Sequence, residues 1–237
     1  MICLYVQAPF AAFRTFTAGS FRPTAAFITP SAAYGLVLNI SGIESRYDDG
    51  KLPMTLMKSG LPRVKVALGA LCFPQIQSLY QQAHNYPVGK EAGAQYAPSA
   101  KGNKYNITTV RREYLSNLRA YICLDENPEL KLRVREGLRG KHNATRYGIP
   151  FLGDNNLMID VLREETEMQP AYWYEVVSQR DTHGPRPRTT RLTIRIDRQQ
   201  MSETTSVLFA PISERSLDIP HDAWVTVGEH TEPSVVK

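Results

Sequence analysis

The sequence predicts an α+β protein, and three observations carry that expectation. Two segments alternate apolar and polar residues with the period of a half-buried strand. Two others open on a capping residue followed by proline, as helices do. A 23-residue polar stretch, HNYPVGKEAGAQYAPSAKGNKYN (84–106), separates the strand-like segments. Of 237 residues, 42% are hydrophobic and 22% charged, and mean hydropathy is -0.33, a balance that excludes global disorder. The length suits one large domain, or a domain with a smaller appendage.

The elements follow in order. Residues 2–7 (ICLYVQ) are short, apolar and partly β-branched, which predicts a buried first strand. In TPSAAYGLVLNISG, Thr29 is a cap, Pro30 suits the first helical position, and Gly42 can end a helix spanning Ala32 to Ile40. RVKVALGAL (63–71) places Val64, Val66, Leu68 and Ala70 on one face and Arg63 and Lys65 on the other, so it reads as a strand. QIQSLYQQA then leads into the polar stretch. TTVRREYLSNLRAYICL resumes the alternation with Leu118, Ala120, Ile122 and Leu124. Asn127 and Pro128 open a second helix, ELKLRVREGLRG, closed by Gly137 or Gly140. LMIDVL (157–162) or AYWYEVV (171–177) supplies a last strand.

This β-α-β-β-α-β order is the ferredoxin-like pattern shared by RNA-recognition-motif domains. The polar stretch falls between its second and third strands. Loops of that length without structure of their own are uncommon in compact domains and are usually functional or disordered. TTRLTIRID, SVLFAPI and AWVTV read as a small antiparallel β subdomain joined through DTHGPRPR. The expected boundaries are 1–165 for the ferredoxin-like domain, with its insertion at about 84–108, then 166–229 for the β subdomain and 230–237 for a flexible tail. The aromatic third-strand signature of RNA-recognition motifs is missing, so RNA binding here would use loops and edges.

Charge is unevenly spread. The net charge is +5, yet residues 101–146 alone hold eleven basic and five acidic side chains, a local +6. Residues 180–198 hold six arginines against Asp181 and Asp197, a local +4. Such clusters fit a phosphate-backbone footprint or a solvated face equally well. Cys3, Cys72 and Cys123 lie far apart with no CxxC, which signals neither a disulfide framework nor a zinc knuckle, and a reducing, cytoplasmic setting is expected. MICLYVQAPF lacks a basic n-region, and no run approaches eighteen apolar residues, so no membrane is expected. His84, His142, His183, His221 and His230 show no HxxxH spacing, and GxxxxGK[ST], GxGxxG and GxSxG are absent. No metal or cofactor is therefore expected. Glu164, Glu165 and Glu167 read as a solvated turn.

Three blocks in register carry a resemblance. APFAAFRTFTAGSFRPTAAFITPSAAYGLVLNISGI, TTVRREYLSNLRAYICL and RYGIPFLGDNNLMID resemble the start, the Arg-Glu-Tyr-Leu strand and the Tyr-x-x-Pro-Phe/Tyr-Leu-Gly segment of the CRISPR-associated "Cas five" family. This is the RAMP-type subunit of type I Cascade complexes. The resemblance covers about residues 1–162, and details of the first block point to a type I-B-like branch. It implies a ferredoxin-like RAMP domain whose insertion forms a protruding thumb. It also implies a non-catalytic subunit that grips the 5′ handle of the CRISPR RNA, meets a backbone subunit, docks the large PAM-reading subunit and lies near target DNA. The thumb is expected to order only in the assembled complex.

Within that expectation, Lys90, Lys101 and Lys104 offer phosphate contacts, and Tyr86, Tyr96 and Tyr105 offer flat surfaces for bases or protein. Arg14, Arg22 and the helix onset from Ser31 through Tyr34 to Gly35 lie near the end of the first strand, where backbone N–H groups favour phosphate. Arg111 and Arg112 are adjacent and point to opposite faces, so at most one faces the handle. Lys141, His142 and Arg146 form a further basic RNA-binding group. One branch of the family cuts precursor RNA without metal, using a similar Lys-His pair and a tyrosine. The alternative reading is such an endoribonuclease, with His142 as base, Lys141 as the cation for phosphate charge, and Tyr34 or Tyr147 as acid.

Overall fold

The computed structural model describes residues 1–15, 21–50, 55–84, 107–177, 186–198 and 200–228. The apolar N-terminal segment forms strand β1 (Ile2–Ala11), with Ile2, Leu4, Val6 and Ala8 buried. β1 lies between the 19-residue β7 (Ile107–Asp125) and β8 (Val161–Glu164), and β7 pairs in turn with β5 (Val64–Cys72). All three pairings are antiparallel. LMIDVL thus ends in the strand that takes the place beside β1.

Two helices cover one face of this sheet. α1 (Pro30–Ile40) starts where Thr29 accepts a hydrogen bond from the Ala32 amide at 3.2 Å, and α2 (Pro128–Leu138) starts where Asn127 accepts one from Leu130 at 2.9 Å. Val37, Leu38 and Ile40 of α1 and Leu130 and Val134 of α2 pack on Leu4, Val6, Leu68, Ile122 and Leu124 as one core. Gly140, with φ of 84°, closes α2. Gly137 instead lets the two helices touch, because a Cβ there would lie 1.9 Å from the Ile40 carbonyl oxygen.

The opposite face buries Tyr121 and Trp173 over Ala67 and Gly69. Cys3 and Cys123 sit directly opposite each other in the β1–β7 register, 4.0 Å apart at Cα, and are joined by a disulfide. This corrects the expectation drawn from their spacing. A separation of 120 residues says nothing about register, and antiparallel pairing brings the two together.

QIQSLYQQA is more than a lead-in. It forms β6 (Gln75–His84), paired in unbroken register with Ile107–Ser116 of β7. The result is a two-stranded ribbon rooted in the core. The insertion beyond it, 85–106, lies outside the described residues, as does the expected tail at 230–237. β2 (Phe21–Arg22) runs parallel to β7 at Arg111 and Arg112, and β3 (Arg46–Tyr47) pairs with β4 (Leu56–Met57). The segment expected as a small β subdomain adds β9 (Tyr172–Val176), β10 (Thr190–Arg195), β11 (Thr205–Pro211) and β12 (Val225–Val227). These continue the same sheet, since β9 and β12 both pair with β5.

Two glycines make opposite predictions. Gly137→Ala should lower stability by about 2 kcal/mol through overpacking against Ile40. Gly35→Ala, on the exposed face of α1 with open space around it, should raise stability by about 0.5–1 kcal/mol. Urea midpoints at unchanged slope check both.

Candidate nucleic-acid interface

The root of the ribbon gathers three arginines that, among the described residues, form no ion pair. Thr24 fastens the preceding chain to β7: its amide donates to Glu113 Oε2 at 3.2 Å, and its hydroxyl accepts from the Phe13 amide at 2.9 Å. Arg14 is bridged to Thr24 and Arg22 pairs in register with Arg112, so both lie along the ribbon root near Arg111, with Arg22 on the opposite face of the strand. Among the described residues no carboxylate pairs with any of the three. The register then sets Phe21, Arg111 and Tyr80 side by side across β2, β7 and β6. Phe21 is 40% and Tyr80 76% exposed, and the Arg111 guanidinium lies 5.3 Å over the Phe21 ring. A cation flanked by open aromatic rings can hold a phosphate while a base stacks beside it. Phe21 and Tyr80 escaped the sequence reading, although an aromatic alternating with glutamines in QIQSLYQQA was a usable signal.

The neighbouring Arg112 has a different fate. It is 12% exposed and forms an ion pair with Asp154, which is 8% exposed. Burial pushes the Asp154 carboxyl up, but the Asn156 amide and the Arg112 guanidinium outweigh that and hold it below the usual carboxylate value. Asp154 therefore adds stability above its unfolded value, and that contribution fades as pH falls through the lowered folded value. Arg112→Ala should cost about 2 kcal/mol at pH 7. The gap to the parent should narrow below about pH 4 in urea titrations, once the carboxyl protonates in both proteins.

The loop GKHNATRYG packs onto the last turns of both helices. Arg146 donates to the Gly137 carbonyl, and Arg133 donates to the Ser41 carbonyl through Nε at 3.2 Å and a terminal nitrogen at 2.9 Å. Cations in these places add a hydrogen bond to carbonyls at helix C-termini and oppose the negative end of the helix dipole. Asn39 donates to the Tyr147 carbonyl at 3.1 Å, and the exposed Tyr147 ring lies 5.1 Å beneath Arg46. Lys141 Nζ meets Glu136 at 2.8 Å, and His142 Nε2 lies 3.7 Å from the same carboxylate. The Lys141 ammonium holds the Glu136 carboxyl below its usual value.

Tyr34 is not with them. It sits in the first half of α1, is 7% exposed, and donates to the Pro62 carbonyl at 2.7 Å. Burial pushes its hydroxyl well above the usual tyrosine range. His142 packs beyond the other end of α1, against Gly42, so the structure does not bring this acid candidate to the Lys-His pair. Ser31 lies at the helix start, its hydroxyl 3.1 Å from that of Thr29. Lys90, Tyr96, Lys101, Lys104 and Tyr105, with Tyr86, lie outside the described residues. Among those described, no three His, Cys, Asp or Glu side chains converge as metal ligands, and no helix is long and apolar enough to cross a membrane.

Comparison with known proteins supplies the context for this geometry. The chain is similar over 94% of its length, and 95% of the other chain's, to a solved structure described as a CRISPR RNA-guided surveillance complex, at 11% identity and a TM-score of 0.56. That likeness speaks for the fold. No curated protein matches the chain. Residues 1–148 match the profile of the family described as CRISPR-associated protein (Cas_Cas5). With more than half of its length matched in this way, the chain belongs to the CRISPR-associated Cas5 family.

Proposed function

We propose that the protein is a subunit of a type I Cascade complex that caps the 5′ handle of the CRISPR RNA and joins the backbone to the large PAM-reading subunit. Family membership supplies the class of function. The observation that carries the reading is the open row of Phe21, Arg111 and Tyr80, with Arg14 and Arg22 beside it, at the foot of the ribbon that leads into the insertion. The strand order β5-β7-β1-β8 with both helices on one face supports a ferredoxin-like RAMP domain, and the ribbon supports a thumb at 84–108. In this reading the unpaired arginines hold handle phosphates, and the two rings receive unstacked bases.

Lys90, Lys101 and Lys104 then continue the phosphate track along the thumb, with Tyr96 and Tyr105 as further stacking or protein contacts. Lys141, His142 and Arg146 act first as fasteners of the helix ends, and the exposed Lys141 is the one of the three that extends to RNA. Partners are the handle, the backbone subunit and the large subunit.

Fluorescence anisotropy with repeat-derived RNA tests the reading. Affinity should fall steeply with salt, because each neutralised phosphate releases counterions. Tyr80→Ala and Arg111→Ala should each weaken handle binding about tenfold. Equal affinity for RNA with and without the handle would overturn it.

A further inference from the structure

The arginine-rich stretch around β10 is left over from the handle face, and the structure divides it sharply. Arg186 pairs with Glu175 at 2.6 Å, Arg195 lies 3.7 Å from Asp197, and Arg198 donates to the Thr55 carbonyl and hydroxyl at 3.0 and 2.8 Å. Arg188 has no such duty. It sits at φ of 59°, is exposed, and lays its guanidinium 4.1 Å over the Phe73 ring. Phe73 stacks on Tyr172 with centroids 4.6 Å apart, and the exposed Arg215 lies 5.2 Å over the Tyr172 ring. Phe73, Tyr172 and Arg188 line an open cleft of about 510 Å³ whose one wall carboxylate, Glu175, is already paired with Arg186, and Arg215 adjoins it over the Tyr172 ring.

We propose that this cleft is a second nucleic-acid contact, one that takes single-stranded phosphodiester through Arg188 and Arg215. A guanidinium held over a ring by cation–π attraction keeps N–H groups available for phosphate and leaves a planar cation beside the ring for a base to stack on. Pinning also removes much of the entropy that an exposed arginine loses on binding. Among the described residues, neither Arg188 nor Arg215 has a carboxylate partner, so neither charge is already spent. The cleft's volume falls within the range of sites that enclose a nucleotide-sized ligand, and Pro187, Pro211 and Ile212 give it apolar walls. It is distinct from the handle face: Phe73 begins the turn between β5 and β6, and Tyr80 lies seven residues along, roughly 20 Å in an extended strand. The contact therefore stands whether or not the first face holds the handle.

The test is anisotropy on the full chain with short single-stranded RNA and DNA of one sequence that lacks any handle. The Arg188→Ala, Arg215→Ala double variant should bind about fivefold more weakly or worse. Its salt slope should shrink by roughly 0.7 per lost phosphate contact. Arg188→Lys should keep the slope but lose affinity, because an ammonium does not stack. Arg139→Ala removes an exposed arginine elsewhere and should change little. Loss with RNA alone assigns the site to guide RNA, and loss with both assigns it to single strands generally. The same loss in a Tyr80→Ala, Arg111→Ala background separates this contact from the handle face. If the double variant matches the parent in affinity and slope, or Arg139→Ala weakens binding as much, the proposal fails. Because both arginines are exposed, an unchanged thermal midpoint is expected. Should the double variant unfold, the affinity and slope of Arg188→Lys decide the matter.

Discussion

The pairing of β7 with two different sets of partners is the constraint on which the rest of the structure depends. Its C-terminal half is locked between β1 and β5, and its N-terminal half carries β6 and β2. The two halves meet at Asn117, which adopts φ of 58° opposite Pro9, a residue with no N–H for the ladder. Asparagine tolerates that left-handed backbone better than most residues. Before the break Leu115 faces the core, and after it Leu118, Ala120, Ile122 and Leu124 do, so the alternation resets by one residue. Cys72 Sγ lies 3.5 Å from the Asn117 carbonyl oxygen, marking the same corner where β5 slips register. The ribbon therefore leaves the core in a direction set by the core itself.

Among the described residues, many of the positive charges are internal structure. Arg133 and Arg146 hold helix-end carbonyls, Arg112 holds Asp154, Arg135 pairs with Glu164 at 2.8 Å, and Lys141 holds Glu136. Within the +6 segment these bonds keep two helices and a loop in place. Among the described residues, open cations meet exposed rings at two places: Arg111 at the ribbon root, with Arg14 and Arg22 nearby, and Arg188 and Arg215 on their rings. Specific binding needs such placed cations more than it needs net charge.

This explains why the fold was more legible in the sequence than the site. β1, α1, β5, α2 and the far half of β7 announce themselves by period and by the caps Thr29 and Asn127. β6 did not, because QIQSLYQQA has few apolar residues and is stabilised by β7 rather than by a core. The Cys3–Cys123 bond needed the register, which local pattern does not carry. Arg112 and Arg111 look alike as letters, and only the distant Asp154 separates the buried ion pair from the open cation. Likewise Tyr34 stands near a helix start in the sequence, yet its hydroxyl is closed off on Pro62. Ion-pair partners distant in sequence, not residue type, decide which basic side chains remain for a ligand.

Under the proposed function, the ribbon root and not the loop after α2 bears the handle. Photocrosslinking of the assembled complex with 4-thiouridine placed through the 5′ handle, followed by mass spectrometry of the adducts, tests it most directly. The account predicts adducts on the peptides that contain Phe21 and Tyr80. Adducts confined to residues 140–148, with none at the ribbon root, would contradict it.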